Sequence, residues 1–121
     1  MTSQRGKFIT IEGQDGAGKS TNIEFICDQL SSKSIKYVVS REPGGTPFGE
    51  SVREVLLSKA DLDICPLSEL LLIFSARAQH IQSVIEPALS QGVWVVCDRF
   101  TDASYAYQGG GHGVDLSLIH I

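Results

Sequence analysis

Near its N-terminus the chain reads Gly13-Gln14-Asp15-Gly16-Ala17-Gly18-Lys19-Ser20, and most of its architecture follows from this segment. The segment fits the pattern G-x-x-x-x-G-K-[S/T], a glycine-rich loop whose backbone N–H groups surround a phosphate. Residues 8–11 before the loop are mostly β-branched or aromatic and predict a strand. Residues 20–30 after it carry apolar side chains at helical spacing. A P-loop requires this order of strand, glycine loop and helix.

Each residue type in the loop has a chemical role. Glycine permits positive φ and brings backbone amides close to an anion, and the helix that follows adds the positive end of its dipole. We expect Lys19 to lie on the β- and γ-phosphates of a bound nucleotide, and the Ser20 hydroxyl to take a Mg²⁺ position. A tight strand-to-helix turn with a chance Lys-Ser pair is the alternative. The predicted nucleotide-binding residues are Gly13, Gln14, Asp15, Gly16, Ala17, Gly18, Lys19, Ser20 and Thr21.

Length and composition narrow the class of protein. A chain of 121 residues with 42% hydrophobic content forms at most one domain. The formal charge of −4, without a run of Lys or Arg, disfavours a general nucleic-acid or membrane-surface binder. No apolar segment is long enough for a signal peptide or a membrane span. The widely spaced Cys27, Cys65 and Cys97 are expected to be buried, reduced thiols of a cytoplasmic protein.

The remaining pattern predicts alternating strands and helices. The predicted strands cover about 7–12, 37–39 and 93–97, and the last is an apolar run typical of a strand covered on both faces. The predicted helices cover about 20–31, 48–57 and the residues from Pro66 onward, with a loop at 61–64. Pro87 is expected to kink or break the last helix. Strand, helix and strand at this spacing form a right-handed βαβ unit in a parallel sheet.

Charged residues follow two of these strands. Arg41 and Glu42 open an irregular loop after the second strand, at the kind of edge where open α/β sheets bind ligands. A solvated turn is the alternative there. Asp98 and Arg99 follow the third strand, where a carboxylate can hold Mg²⁺ directly or through water.

The third helix carries a long apolar block. Its middle is apolar almost all round, which predicts a largely buried helix. Arg77, just after this block, needs a partner, and that partner is either a carboxylate or a ligand. His80 is expected to pack or to form hydrogen bonds rather than to act in catalysis.

Four segments taken together resemble bacterial thymidylate kinases. They are the P-loop, residues 41–46 (REPGGT), residues 69–80 and residues 98–111, and the resemblance covers roughly residues 6–115. It implies an α/β fold, namely a P-loop nucleoside-monophosphate-kinase core with a parallel sheet of strand order 2-3-1-4-5, of which 2-3-1 is visible here. It also implies phosphoryl transfer from ATP to thymidine 5′-monophosphate (dTMP), giving dTDP for dTTP biosynthesis, with Mg²⁺ and in a homodimer.

The resemblance also implies a role for each matching residue. The catalytic residues are Lys19, Asp15, which contacts the acceptor 3′-hydroxyl, and Arg99, which grips the acceptor phosphate. Ser20 and Asp98 serve the metal. Arg77 faces the base, and Tyr107 fills the space near the sugar C2′ and so disfavours a ribonucleotide. The implied dTMP-binding residues are Arg41, Arg53, Ile73, Phe74, Arg77, Arg99, Ser104, Tyr107 and Gln108.

The chain departs from the family pattern at several places. Ile73 stands where the family usually has a thymine-stacking Phe, and the aromatic residue is its neighbour Phe74. His112 replaces a usual Arg. Members with glycine at the position of Gly16 draw a catalytic arginine from a lid that follows later in the family. We therefore expect one incomplete domain over 1–121, an N-terminal fragment with an atypical tail at 116–121, that is inactive for lack of the lid.

Two other functions stay open on the sequence. One is a kinase for another nucleoside monophosphate or for a deoxynucleoside. The other is a nucleotide-binding module that transfers no phosphate, although the guanine-reading N-K-x-D motif is absent from the sequence.

Overall fold

The structure, a computed structural model, describes residues 4–13 and 18–100. The strands are β1 (Phe8–Gly13), β2 (Tyr37–Glu42) and β3 (Trp94–Phe100). The helices are α1 (Lys19–Ser32), α2 (Pro47–Leu57), α3 (Lys59–Leu62), α4 (Pro66–His80) and α5 (Glu86–Ser90), and a π-helical turn (Ile81–Ile85) joins α4 to α5.

The three strands form one parallel sheet in the order β1-β3-β2, which confirms the predicted order 2-3-1. The register aligns the carboxyl ends of the strands. Asp98 on the central strand lies beside Ile11 of β1 and Arg41 of β2, and Arg99 lies between Glu12 and Glu42. The charged residues of three separate segments therefore meet at one edge of the sheet.

The central strand is buried on both faces, as its apolar run predicts. Val95, Val96 and Cys97 have no exposed surface. Ile85 of the π-helical turn and Leu89 of α5 pack against Val95 of this strand. Helices α2 and α4 form a second core cluster, composed of Val52, Leu56, Ile73 and Ala76.

Strands β2 and β3 run further than the sequence predicts. Arg41, Glu42, Asp98 and Arg99 are strand residues and do not follow the strands, because the parallel ladder continues through them. The loop predicted at 61–64 is also partly wrong, since α3 occupies Lys59–Leu62. Local composition does not reveal how far a ladder extends, because neighbouring strands supply the hydrogen bonds.

Helix α4 is not buried all round. Leu70 and Ile73 are buried, whereas Leu67 and Leu71 are 62% and 57% exposed. The contacts of α4 with α2 cover one face of the helix, so an apolar block alone overestimates its burial.

The expectation for the cysteines is also partly wrong. Cys97 is buried, but Cys27 is half-buried and Cys65, at the N-cap of α4, is exposed.

The helix break expected from Pro87 is confirmed. Helix α4 ends at His80, the chain makes a π-helical turn, and α5 begins at Glu86 with the proline in its first turn. A proline lacks the N–H that would continue the α-helical ladder, and its ring crowds the preceding turn. Within the described residues, no helix is both long and apolar enough to cross a membrane.

Candidate active site

The ends of the P-loop have the geometry that the motif predicts. Strand β1 ends at Gly13 and α1 begins at Lys19. Between them, Gly18 is the N-cap of α1 with φ of 78°, a left-handed conformation that favours glycine. The predicted ATP-binding residues Gln14, Asp15, Gly16 and Ala17 lie outside the described residues.

Lys19 is held against the central strand. Its side chain is buried, and its Nζ atom lies 2.7 Å from Oδ1 of Asp98. That oxygen is buried and, within the described part of the chain, accepts no well-aligned hydrogen bond, so the contact is an ion pair that leaves acceptor capacity on the atom. A carboxylate oxygen with spare lone pairs is the type of ligand that a hard cation such as Mg²⁺ takes.

Ser20 and Thr21 lie on the first turn of α1, directly after Lys19. Both residues are exposed, so their hydroxyl groups are accessible to a ligand. A serine hydroxyl and the Asp98 carboxylate are oxygen donors of the type that Mg²⁺ prefers. The predicted metal residues therefore fit the ion in chemistry.

Two of the predicted site arginines meet on one carboxylate. Oε1 of Glu42 accepts hydrogen bonds from Nε of Arg77, at 2.8 Å, and from Nε of Arg99, at 3.1 Å. Nη1 of Arg99 also donates to Oε1 of Glu12, at 3.1 Å. Of the two partners expected for Arg77, the carboxylate is the one found. Two arginines that lie on different elements, α4 and β3, are thus held side by side at the edge of the sheet.

The other carboxylate oxygen of Glu42 forms a hydrogen bond with His80. Nδ1 of the imidazole lies 2.8 Å from Oε2 of Glu42, and Nε2 lies 2.6 Å from Oγ of Ser40. Burial raises the pKa of Glu42, but the imidazole hydrogen bond and the charges of the two guanidiniums outweigh it, so the pKa lies below the ordinary value of 4.5. The prediction that His80 forms hydrogen bonds is confirmed.

The loop after β2 is tied to helix α2. Arg53 donates to the carbonyl oxygen of Pro43 at 3.1 Å, and Arg41 forms an ion pair with Glu50. Glu50 also accepts from the backbone N–H of Gly45 at 2.9 Å. The hydrogen bond from Arg41, together with that from Gly45, lowers the pKa of Glu50 to about 2. Arg41 and Arg53 thus brace the loop that borders the site.

A cleft of about 410 Å³ lies among these elements. Its walls come from α1, β2, the loop after β2, α2 and β3. The lining residues are Ile23, Val39, Ser40, Arg41, Gly45, Glu50 and Asp98. The cleft opens beside Asp98 and therefore adjoins the lysine of the P-loop.

The two candidate thymine-stacking residues occupy different environments. Ile73 is 7% exposed and packs with Val52, Leu56 and Ala76 between α2 and α4. Phe74 is half-buried against the same cluster. Which of them contacts a base stays a prediction. The predictions for Ser104, Tyr107, Gln108 and His112 lie outside the described residues.

Four residues of the site have no role that was predicted from the sequence, namely Glu12, Ser40, Glu42 and Glu50. The position of Glu42 was a signal, because it ends a strand beside Arg41 at the ligand-binding edge of the sheet. Its burial was not foreseeable, since its partners Arg77 and Arg99 are 35 and 57 residues away.

Comparison with known proteins identifies the family. A family model described as thymidylate kinase matches residues 11–121. A thymidylate kinase of Chromohalobacter salexigens is 59% identical over 115 residues, which are 94% of this chain and 54% of that protein. A thymidylate kinase of Methylococcus capsulatus is 59% identical over 114 residues, again 94% of this chain and 54% of that protein.

Solved structures give the same result. The crystal structure of thymidylate kinase from Ehrlichia chaffeensis superposes with a TM-score of 0.74 at 44% identity, covering 95% of this chain and 65% of that one. The structure of thymidylate kinase from Candida albicans superposes with a TM-score of 0.66 at 29% identity, covering 88% of this chain and 45% of that one. The chain spans about half the length of the curated relatives it matches. Because the family model matches residues 11–121, which are most of the sequence, this chain belongs to the thymidylate kinase family.

Proposed function

We propose that this protein transfers a phosphoryl group from ATP to dTMP, giving dTDP and ADP, with Mg²⁺. One observation carries the proposal: in a chain of the thymidylate kinase family, Arg77 and Arg99 converge on Glu42 at the same sheet edge as the Lys19–Asp98 pair. The lysine assigned to a triphosphate and the arginines assigned to an acceptor phosphate would lie next to each other there.

The donor side of the reaction is assigned to the P-loop. Lys19 would exchange part of its contact with Asp98 for the β- and γ-phosphates, and Ser20 and Asp98 would hold the Mg²⁺ ion. The bound ion would neutralise charge on the phosphates. Asp15 is assigned to the 3′-hydroxyl of the acceptor sugar. Phosphoryl transfer depends on position and charge neutralisation more than on a strong base, which agrees with a site built from cations.

The acceptor side is assigned to the arginines. Arg99 binds the phosphate of dTMP and Arg77 faces the base, with Arg41, Arg53, Ile73 and Phe74 around them. The acceptor phosphate is already anionic, so it attacks without a general base. Ser104, Tyr107 and Gln108 complete the pocket in this proposal, and Tyr107 disfavours a ribonucleotide.

The test uses the full-length gene product. Its rate of phosphorylation is measured with dTMP, dUMP, dCMP and AMP as acceptors, and a strong preference for dTMP is expected. Equal rates would replace the assignment with a broader nucleoside-monophosphate kinase. Calorimetric titration with ATP and then with dTMP separates a kinase from a binding module, since a module would take up ATP and ignore dTMP.

We further propose that the protein works as a homodimer in the cytoplasm. The exposed apolar residues Leu67 and Leu71 of α4 offer surface for a second copy, and the free cysteines agree with a reducing compartment. Sedimentation velocity tests the first part, and a monomer at all concentrations would contradict it. Fractionation of the source cells tests the second part, and recovery of the protein outside the cytoplasm would contradict that.

A further inference from the structure

A buried histidine lies behind the two arginines. His80 has no exposed surface, and it reaches Ser40 through Nε2 and Glu42 through Nδ1, at 2.6 and 2.8 Å. An ionised carboxylate can only accept, so Nδ1 carries the proton facing Glu42. In the neutral ring Nε2 then accepts from the Ser40 hydroxyl. Both ring nitrogens are therefore satisfied in one defined orientation.

The chain of hydrogen bonds continues to the arginines. The oxygen of Glu42 that His80 does not use accepts from Nε of Arg77 and Nε of Arg99. The network links β2, α4 and β3, and each bond from Glu42 to its partners involves a charged group. A shift of the carboxylate would move both guanidiniums together.

The backbone of the loop after β2 packs closely against the imidazole of His80. Gly45 has φ of 80°, and a Cβ atom there would lie 2.5 Å from Cδ2 and Nε2 of His80 and 2.6 Å from Oγ of Ser40. The glycine thus lets the backbone approach the ring closely. Little room is left for the ring to swing, so the hydrogen-bonded orientation is also enforced by packing.

A metal ion could in principle occupy the same place, because ligand atoms of Glu42, His80 and Cys97 lie within 4.8 Å of one another. The surroundings oppose this. Two guanidiniums already neutralise the carboxylate, and the imidazole atom nearest to it is engaged in a hydrogen bond. Burial, followed by the charge of Glu42, raises the pKa of the Cys97 thiol to about 12, so the thiol stays protonated. The cluster is a hydrogen-bond network.

We infer that His80 is a positioning residue for the acceptor site: it fixes Glu42, which holds the guanidiniums of Arg77 and Arg99 in the orientation that receives the acceptor phosphate and base. The inference rests on the proposed function for its ligand. Side chains that are already fixed by such hydrogen bonds lose less conformational entropy when a ligand binds to them.

Two substitutions at His80 separate this role from packing. His80→Asn keeps an amide N–H near the position of Nδ1 and retains a donor to Glu42. His80→Gln extends towards the position of Nε2 and retains contact with Ser40 but not with Glu42. Both shorten or reshape the same buried side chain, so a structural role alone predicts similar losses of thermal stability. Ser40→Ala tests the far end of the network.

The measurements are made on the full-length gene product. With His80→Gln the Kd for dTMP should rise about tenfold, as expected for loss of a hydrogen bond to a charged group, while the Kd for ATP stays within about twofold. His80→Asn should recover most of the affinity for dTMP. NMR of the arginine Nε–H groups gives a readout without substrate: slow exchange at Arg77 and Arg99 should persist in His80→Asn and be lost in His80→Gln.

The outcomes distinguish the two proposals. If the unmodified protein does not bind dTMP but the NMR pattern holds, the proposed function fails and the positioning role stands. If dTMP binds and His80→Gln alters neither its affinity nor the exchange of the two Nε–H groups, the positioning role is wrong and the proposed function stands. Equal effects of His80→Gln and His80→Asn in both measurements would also overturn the inference, because they would indicate packing alone.

Discussion

The Nζ atom of Lys19 lies 2.7 Å from Oδ1 of Asp98, so the lysine of the phosphate loop is anchored to the central strand of the sheet. Lys19 belongs to the first turn of α1 and Asp98 to β3. Their ion pair connects the helix that would receive a triphosphate to the strand that would hold its metal ion. The flexible side chain of Lys19 is in this way held in one position against the sheet.

Replacing Lys19 by alanine should abolish transfer while leaving the fold intact. We expect kcat to fall at least about 100-fold, the scale found when one preorganised charge-stabilising group is removed. The change in stability should be about 1–3 kcal/mol, because the buried oxygen of Asp98 loses its partner while the rest of that side chain stays 31% exposed. Lys33→Ala, at the exposed C-cap of α1, is the matched control and should retain activity. Undiminished activity of Lys19→Ala would refute the role of the loop.

Asp98→Asn should increase the requirement for Mg²⁺. The amide keeps the shape of the side chain but offers a neutral and weaker ligand, so the Mg²⁺ concentration for half-maximal rate should rise about tenfold or more. Titration of the rate with MgCl₂ at saturating ATP measures this. An unchanged metal requirement would mean that Asp98 serves only Lys19.

Arg99→Lys should weaken the binding of dTMP far more than the binding of ATP. Lysine keeps the charge but cannot bond Glu42 and Glu12 through a planar fork while also meeting a phosphate. We expect the KM for dTMP to rise about tenfold to 100-fold, with the KM for ATP changed about twofold at most. Arg5→Lys, at the exposed pair with Glu86, is the control. Equal effects on both substrates would reject an acceptor-phosphate role.

The stability of the protein should fall in acid partly because of Glu42. Its pKa is lower in the folded protein than its ordinary 4.5, so the folded state binds fewer protons than the unfolded state. The stabilisation is therefore present above pH 4.5 and is lost as the pH falls through the lower, folded value. Glu42→Gln should be about 3 kcal/mol less stable at pH 7, since the half-buried guanidiniums of Arg77 and Arg99 lose the counter-charge that they share. The stability of the variant should then fall less than that of the unmodified protein on acidification.

Denaturant unfolding at several pH values measures this effect. Glu24→Gln, an exposed change on α1, is the control and should follow the unmodified protein. A variant Glu42→Gln with the same stability profile as the unmodified protein would show that the Glu42 network does not stabilise the fold.

Gly45→Ala should destabilise the protein more than Gly18→Ala. Both glycines have φ near 80°, with values of 80° and 78°, so alanine is strained at each. At Gly45 the new methyl group would also meet His80 and Ser40, whereas at Gly18 no described atom lies within 4 Å of it. We expect about 1 kcal/mol for the strain alone and about 2–3 kcal/mol for strain with overpacking. Equal losses in thermal unfolding would contradict the close approach of the loop to the imidazole.

Much of the scaffold could be predicted because its signals are local. The glycine loop has a fixed pattern, the apolar run at 93–97 marks a strand covered on both faces, and Pro87 removes an N–H that an α-helix needs. The parallel strand order followed from the resemblance, and the structure confirms it. The predicted ends of β2 and β3 and the predicted burial of α4 were wrong. Strand pairing and helix burial depend on neighbours that are distant in sequence.

The sequence by itself determined the phosphate loop with Lys19, the apolar central strand and the break at Pro87, because each rests on the chemistry of adjacent residues. Only the tertiary structure decided the partners of Glu42. His80, Arg77 and Arg99 lie 38, 35 and 57 residues away from it, and they meet only after β2, α4 and β3 have packed. A charge can be buried there because that packing supplies opposite charges and hydrogen bonds from every side, and no local pattern of residues encodes such a meeting.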